Sequence, residues 1–241
     1  MLRTAAIVAN PTKPDALRLA ERALALLEAR GLEITLEEDL AHRLGRPDLA
    51  APLEALRPDL LVVIGGDGTV LRACLRLSDN RPLILAVNAG GRGFLTTVEP
   101  GELEKAINTC LSGSFEVEER ARVEASADGV RLPDALNEVC LTSKVPVKLL
   151  GAVVYKGDEL LMALEGDGLI IATPTGSTGY SLSCGGPVID PGLKCLVLTP
   201  ICPIKPTWPL VLPPGAEVRV EVRKAKVPVA VVDGQVVFEL S

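Results

Sequence analysis

Aromatic residues are scarce: three Phe, two Tyr and one Trp in 241 residues, so the core has to be built from Leu, Val, Ile and Ala. Histidine occurs once, as His42, and the six cysteines, at 74, 110, 140, 184, 195 and 202, include no C-x-x-C pair. A zinc site made of clustered Cys and His is thereby excluded. Long apolar runs are missing too. No stretch approaches the ~20 residues of a membrane-spanning helix, and the apolar run before Asn10 is too short for a signal peptide. A cytoplasmic location with no membrane partner is the expectation. Positive charge is in deficit, 25 Lys and Arg against 31 Asp and Glu, for a net charge of −6 at pH 7. That leaves no general footprint for nucleic acid or an anionic membrane. A phosphate-bearing ligand would have to be held locally, by backbone amides and a few placed cations.

Against these absences, 48% hydrophobic and 23% charged residues are a globular composition, in a chain long enough for one large domain or two small ones. A single Gln and two Met beside 19 Pro read as thermophilic. Heat adaptation is the setting in which an intracellular disulfide such as Cys195–Cys202 competes with the ordinary reading of buried thiols.

Along the chain, Leu2 to Ala9, Asp59 to Ile64 and Leu83 to Val87 are apolar runs of the kind buried on both faces of a parallel sheet. Asp15 to Ala29 carries Leu17, Ala20, Leu24 and Leu27 on one helical face, with Gly31 as the stop. Val70 to Leu77 and Glu102 to Leu111 are also helical. The pattern over residues 1–98 is an α/β, Rossmann-like domain. From Glu99 the texture turns to short β-type runs between Gly, Pro and Asp: Arg120 to Ser126, Asp134 to Thr142, Leu149 to Tyr155, Glu159 to Leu164, Gly168 to Ala172, Val218 to Val222 and Val229 to Leu240. A β-rich, sandwich-like second domain over 99–228 is expected.

Three motifs carry chemistry. The first is Gly65-Gly66-Asp67-Gly68-Thr69, between a buried strand and a helix. Its glycines let phosphate approach the helix start. A carboxylate there repels phosphate unless it handles a proton or a metal, which favours phosphoryl transfer; the rival reading makes Asp67 a helix N-cap. The second is Asp167-Gly168, followed by Thr173-Pro174-Thr175-Gly176-Ser177-Thr178-Gly179-Tyr180-Ser181-Leu182-Ser183. Its hydroxyls and amides suit sugar and phosphate, and Tyr180 suits stacking on a base. The third is Asn137-Glu138, a polar pair in an apolar run, fit for vicinal ribose hydroxyls if a ribose is near. Lys13, after the first strand, stands open between a phosphate contact and a solvated loop lysine. Asp233-Gly234 reads equally as a hairpin turn.

GGDGT, Asn-Glu and D-G-x-x-x-x-T-P-T-G-S-T-x-Y-S-x-S-x-G-G-P together resemble the NAD kinase family, over most of the chain from Asn10-Pro11 to Asp233-Gly234-Gln235. GGDG alone is shared with diacylglycerol, sphingosine and 6-phosphofructokinase relatives; the second block is far more specific. The resemblance implies transfer of a phosphoryl group from ATP, or in some members polyphosphate, to the adenosine ribose 2′-hydroxyl of NAD. It also implies Mg²⁺ carried by the nucleotide rather than by protein ligands, and a homo-oligomer, dimer or tetramer. It makes Asp67 the catalytic carboxylate, with Gly66, Gly68 and Thr69 beside the nucleotide. Asn137 and Glu138 would hold the ribose. Asp167, Thr175, Thr178, Tyr180 and Ser183 would line the dinucleotide, with Lys148 as a further contact and Gln235 closing the site. The terminal strand, 229–241, would return to complete the first domain. Three departures stand out. Gly90-Gly91-Arg92-Gly93-Phe94-Leu95 shifts the family's arginine, Gly179 replaces a usual Ala, and the tail past Gln235 is short, which leaves the oligomer contacts open. A lipid kinase sharing GGDGT and a non-catalytic NAD(P)-sensing module are the alternatives.

Overall fold

The computed structural model describes residues 2–77, 81–91 and 93–241, in two compact units that divide between Val117 and Glu118. In the first unit, β1 (Thr4–Ala9), β2 (Glu33–Glu37), β3 (Ala50–Ala51), β4 (Leu60–Gly65) and β5 (Leu83–Asn88) form a parallel sheet in the order β3-β2-β1-β4-β5. β1, β4 and β5 are apolar without alternation because both faces are covered, whereas β2 alternates. Ala5, Ile7, Ala9, Leu60, Val62 and Ile64 face a core shared with α1 (Pro14–Glu28), α2 (Glu38–Arg43) and α4 (Leu103–Ser112). The alternate residues Ala6, Val8, Leu61 and Val63 are equally buried on the other face, where α3 (Asp67–Arg76) packs against β1 and β4. Helix α1 begins with Pro14 at its first turn and ends before Gly31, which takes the left-handed φ of 73°.

The first unit extends past the expected boundary at Glu99 because Leu103, Ile107 and Cys110 of α4 belong to its core. The winding direction reverses between β1 and β4. This switch point of a doubly wound sheet opens a crevice at the carboxyl ends of those two strands.

The second unit is antiparallel. It contains a small hairpin of β6 (Ser126–Ala127) and β7 (Val130–Arg131), then β8 (Glu138–Ser143), β9 (Leu150–Lys156), β10 (Glu159–Gly166) and β11 (Gly168–Ala172). After the single-turn helix α5 (Tyr180–Ser183) come β12 (Leu196–Ile201), β13 (Leu210–Leu212), β14 (Val218–Lys224), β15 (Pro228–Val232) and β16 (Val236–Glu239). Six strands form one sheet, β13-β12-β11-β8-β15-β16, and three form another, β10-β9-β14.

Several expectations are corrected here. Arg120 to Ser126 is not one continuous strand; it holds a bridge between Val123 and Ala135 and, at Ser126, the first residue of β6. β12 was hidden by Pro200, which sits opposite Leu169 within the sheet. The chain end pairs with β8, Val232 opposite Val139, so β15 and β16 complete the second unit's sheet. The six cysteines, Cys195 and Cys202 included, are free thiols, which is the ordinary reading and not the competing disulfide. Among the described residues, no helix is long and apolar enough to cross a membrane.

Candidate active site

The crevice at the switch point of the first unit is a cleft of about 340 Å³ lined by Asn10, Pro11, Lys13, Gly66, Gly68, Thr69 and Arg72. Lys13 caps α1 by position, and its Nζ would lie 2.4 Å from a Cβ built on Gly90. Gly65 is demanded by the fold, since a Cβ there would meet the Thr69 hydroxyl at 2.2 Å. Gly66 and Gly68 are not: an added Cβ would have nothing within 4 Å, and neither glycine has a left-handed φ. Their missing side chains leave space on the ligand side, next to the N–H groups that open α3.

Arg72 was not foreseen. It lies four residues after Gly68, and so one turn along the same helix face, a spacing that would have revealed it. Glu37 holds the guanidinium in a two-point ion pair, one arm of which is 2.9 Å, and thereby raises the already high pKa of Arg72.

Asp67 is the first residue of α3, but it makes no capping bond; Gly66 occupies the cap position. The carboxylate turns instead to the loop after β5, accepting the N–H of Phe94 at 2.8 Å and of Leu95 at 3.0 Å. Gly93 makes this approach possible, because a Cβ there would be 2.3 Å from Asp67 Oδ1. Each oxygen keeps a lone pair for a further donor. The glycine-rich loop was read as a family departure, and its part in orienting Asp67 was missed. Arg92 itself lies outside the described residues.

In the second unit, Asn137 and Glu138 stand at the start of β8. Glu138 is 7% exposed, and its buried Oε2 has no hydrogen-bond partner among the described residues. Burial first, and the neighbouring charge of Asp233 second, push its carboxyl up to about 7. Gly179 brings the second motif to the pair: a Cβ built there would lie 3.5 Å from Asn137 Nδ2 and 3.6 Å from Glu138 Oε2. Gly176 lies closer still, since its Cβ would overlap the Asn137 carbonyl oxygen at 2.1 Å.

Most of the hydroxyls expected to meet a ligand fold the loop instead. Thr173 Oγ1 donates to the Leu136 carbonyl at 2.6 Å, and Ser181 Oγ pairs with Thr199 Oγ1 at 2.8 Å. Ser177 Oγ donates to the Pro174 carbonyl and accepts from the Ile189 N–H. Thr175 is buried, and its hydroxyl accepts from Arg120 at 3.3 Å. Thr178 is half-buried, while Tyr180 and Ser183 are exposed. The Tyr180 phenol is pushed up by partial burial, then by Cys184 and other thiols and by Asp167. Asp167 is exposed between β10 and β11, where its carbonyl accepts from the Thr142 hydroxyl at 2.7 Å. Gln235 is exposed at the β15–β16 turn. Lys148 is exposed in the loop between β8 and β9, and no described contact joins it to Asn137 or Glu138.

Family models described as the ATP-NAD kinase N-terminal and C-terminal domains match residues 5–115 and 136–241. The NAD kinase of Methanothermobacter thermautotrophicus is 40% identical over 240 residues, covering 98% of this chain and 84% of its own. That of Thermococcus kodakarensis is also 40% identical, covering 98% and 86%. Among solved structures, an Archaeoglobus fulgidus NAD kinase in complex with ATP has a TM-score of 0.78 at 32% identity, covering 99% of this chain and 87% of that one. Yeast NADH kinase complexed with NADH has a TM-score of 0.90 at 26% identity, covering 100% and 76%. These relatives are named for a nicotinamide dinucleotide, not for a lipid acceptor. With both domain models matched in order across nearly the whole length, the chain belongs to the ATP-NAD kinase family.

Proposed function

We propose that this protein transfers the terminal phosphoryl group of ATP to the 2′-hydroxyl of the adenosine ribose of NAD, forming NADP. The observation that carries the reading is the buried Oε2 of Glu138, unpartnered among the described residues, beside the Asn137 amide. A desolvated acceptor of this kind is costly unless a ligand supplies the donor, and two vicinal hydroxyls do so. Asn137 and Glu138 hold the ribose, with Thr178, Tyr180, Ser183, Asp167 and Gln235 along the dinucleotide and Lys148 as an outlying contact. Thr175 supports the loop together with Arg120.

The triphosphate occupies the cleft of the first unit, with its oxygens on the N–H groups that open α3 and on Lys13 and Arg72. Mg²⁺ bound with the triphosphate would neutralise its charge. Asp67, whose oxygens each keep a lone pair, would be the protein carboxylate offered to such an ion, since magnesium takes one or two carboxylates besides phosphate and water. Asp67, oriented by the Phe94 and Leu95 N–H groups, accepts the proton of the 2′-hydroxyl, and the ribose contacts fix the direction of attack. We further propose a cytoplasmic homo-oligomer of a heat-adapted organism. The heat-adapted composition supports this, as does the edge strand β13 with the exposed Trp208 and Val211. Incubating the purified protein with Mg²⁺, ATP and NAD, and assaying NADP with an NADP-specific dehydrogenase, tests the reaction; absence of NADP overturns it.

A further inference from the structure

Three consecutive backbone N–H groups, of Leu136, Asn137 and Glu138, donate to the single carboxylate of Asp233 at 2.9, 2.8 and 3.1 Å. Asp233 is 5% exposed and has a left-handed φ of 49° in the turn between β15 and β16, with Gly234 at 65°. A hairpin turn of this kind requires neither burial nor charge, and Asn or Gly would serve the backbone as well. The carboxylate is held beside the carboxyl of Glu138, which burial first and then the Asp233 charge push up. Burial pushes the Asp233 carboxyl up, while the three N–H bonds and Arg122 pull the other way.

The segment these bonds hold is the one that carries the ribose contacts. On its other side, the Thr173 hydroxyl donates to the Leu136 carbonyl, and the Thr173 N–H donates to the Asn137 carbonyl at 2.8 Å. The Asp233 N–H returns to the Glu138 carbonyl at 3.0 Å. The backbone of 136–138 is therefore clamped on both sides, and within that clamp the Asn137 amide and Glu138 Oε2 both come close to Gly179. We propose that Asp233 is a positioning residue for the dinucleotide, its carboxylate fixing the 136–138 backbone so that Asn137 and Glu138 meet the ribose hydroxyls. The proposal rests on the reading of Asn137 and Glu138 as ribose contacts.

Two variants separate this role from that of a plain turn residue. Asp233→Asn keeps the size and the tolerance of a left-handed φ, but offers one acceptor and one donor group to three N–H groups. Asp233→Gly keeps the turn and removes the carboxylate. With folding verified by circular dichroism and thermal melts, the KM for NAD should rise at least about tenfold in both, while the KM for ATP stays within about twofold. In a Glu138→Ala background, Asp233→Asn should add less than about twofold, because both act through one contact. A folded Asp233→Asn with an unchanged KM for NAD overturns the proposal. So does a full, additive effect on top of Glu138→Ala, and so does failure of both variants to fold. A normal KM for NAD in Glu138→Ala alone strikes at the ribose reading itself, and the clamp falls with it.

Discussion

At the scale of single residues, two carboxylates do different work because their surroundings differ. Asp67 is anchored by two N–H groups of the loop after β5, not by its own helix. Replacement by Asn would therefore remove the proposed base and also present an amide donor to one of two N–H groups. Asp67→Asn should lower kcat at least about a hundredfold, with the KM for NAD little changed. A residue that only pinned the loop would instead weaken ATP binding and lower the melting temperature, with modest loss of turnover. Near-normal turnover would remove Asp67 from the chemistry. Glu138 is the opposite case, with an oxygen that is buried and has no partner among the described residues. Its folded value of about 7 lies above the ordinary 4.5. Below pH 4.5 it is protonated in both folded and unfolded chains and has no effect. Between the two values the unfolded chain loses the proton first, so stability falls as pH rises, and above about 7 the full cost is present. That cost is about 3 kcal/mol. Glu138→Gln should therefore raise the melting temperature clearly at pH 8.5 and hardly at pH 5. A gain independent of pH would show that the buried charge is not what destabilises.

At the scale of elements, the turn from β4 into α3 separates what the fold needs from what a ligand needs. Gly65 is required by Thr69, whereas Gly68 faces open space within the first turn of α3. Alanine is the better helix former by roughly 0.5–1 kcal/mol. Gly68→Ala should thus melt at or above the wild-type temperature while raising the KM for ATP several-fold, measured by melts and steady-state kinetics on the same preparation. Unchanged kinetics would mean that phosphate does not approach there. This turn was legible in the sequence because an uninterrupted apolar run, glycines and a helical period fall in order. β12 was not, because Pro200 inside a sheet defeats a rule that holds for most strands. Part of the hydroxyl-rich block serves the fold: Thr173, Ser177 and Ser181 bind neighbouring parts of their own unit. Which of several hydroxyls turns inward depends on partners distant in sequence, such as Leu136 and Thr199. Asp233 was hidden in the same way, about a hundred residues from the amides it binds, behind an adequate explanation as a turn.

At the scale of the molecule, the chain builds two units with separate cores, and each carries its own kind of polar site. The first offers cations and helix-start N–H groups suited to phosphate; the second offers an amide and a carboxyl suited to a diol. The net charge of −6 makes local cations the counterweight to an anionic ligand, so their removal should be felt in ATP binding first. Lys13 lines the cleft at the end of β1, within reach of Gly90, and no ion pair with a described residue neutralises it. Loss of one charge-assisted contact is worth about 1.4 kcal/mol or more, which is a tenfold change. Lys13→Ala should therefore raise the KM for ATP about tenfold and leave the KM for NAD within about twofold. Because the two sites belong to separately packed units, combining Lys13→Ala with Glu138→Ala should give the sum of the two single effects in free energy, one on each substrate. The measurement is a full matrix of ATP and NAD concentrations for the wild type, both single variants and the double variant. If Lys13→Ala left ATP binding intact, Lys13 would be a solvated loop lysine and Arg72 the cation that matters. If it shifted the KM for NAD as strongly as that for ATP, the division of labour between the two units would be wrong.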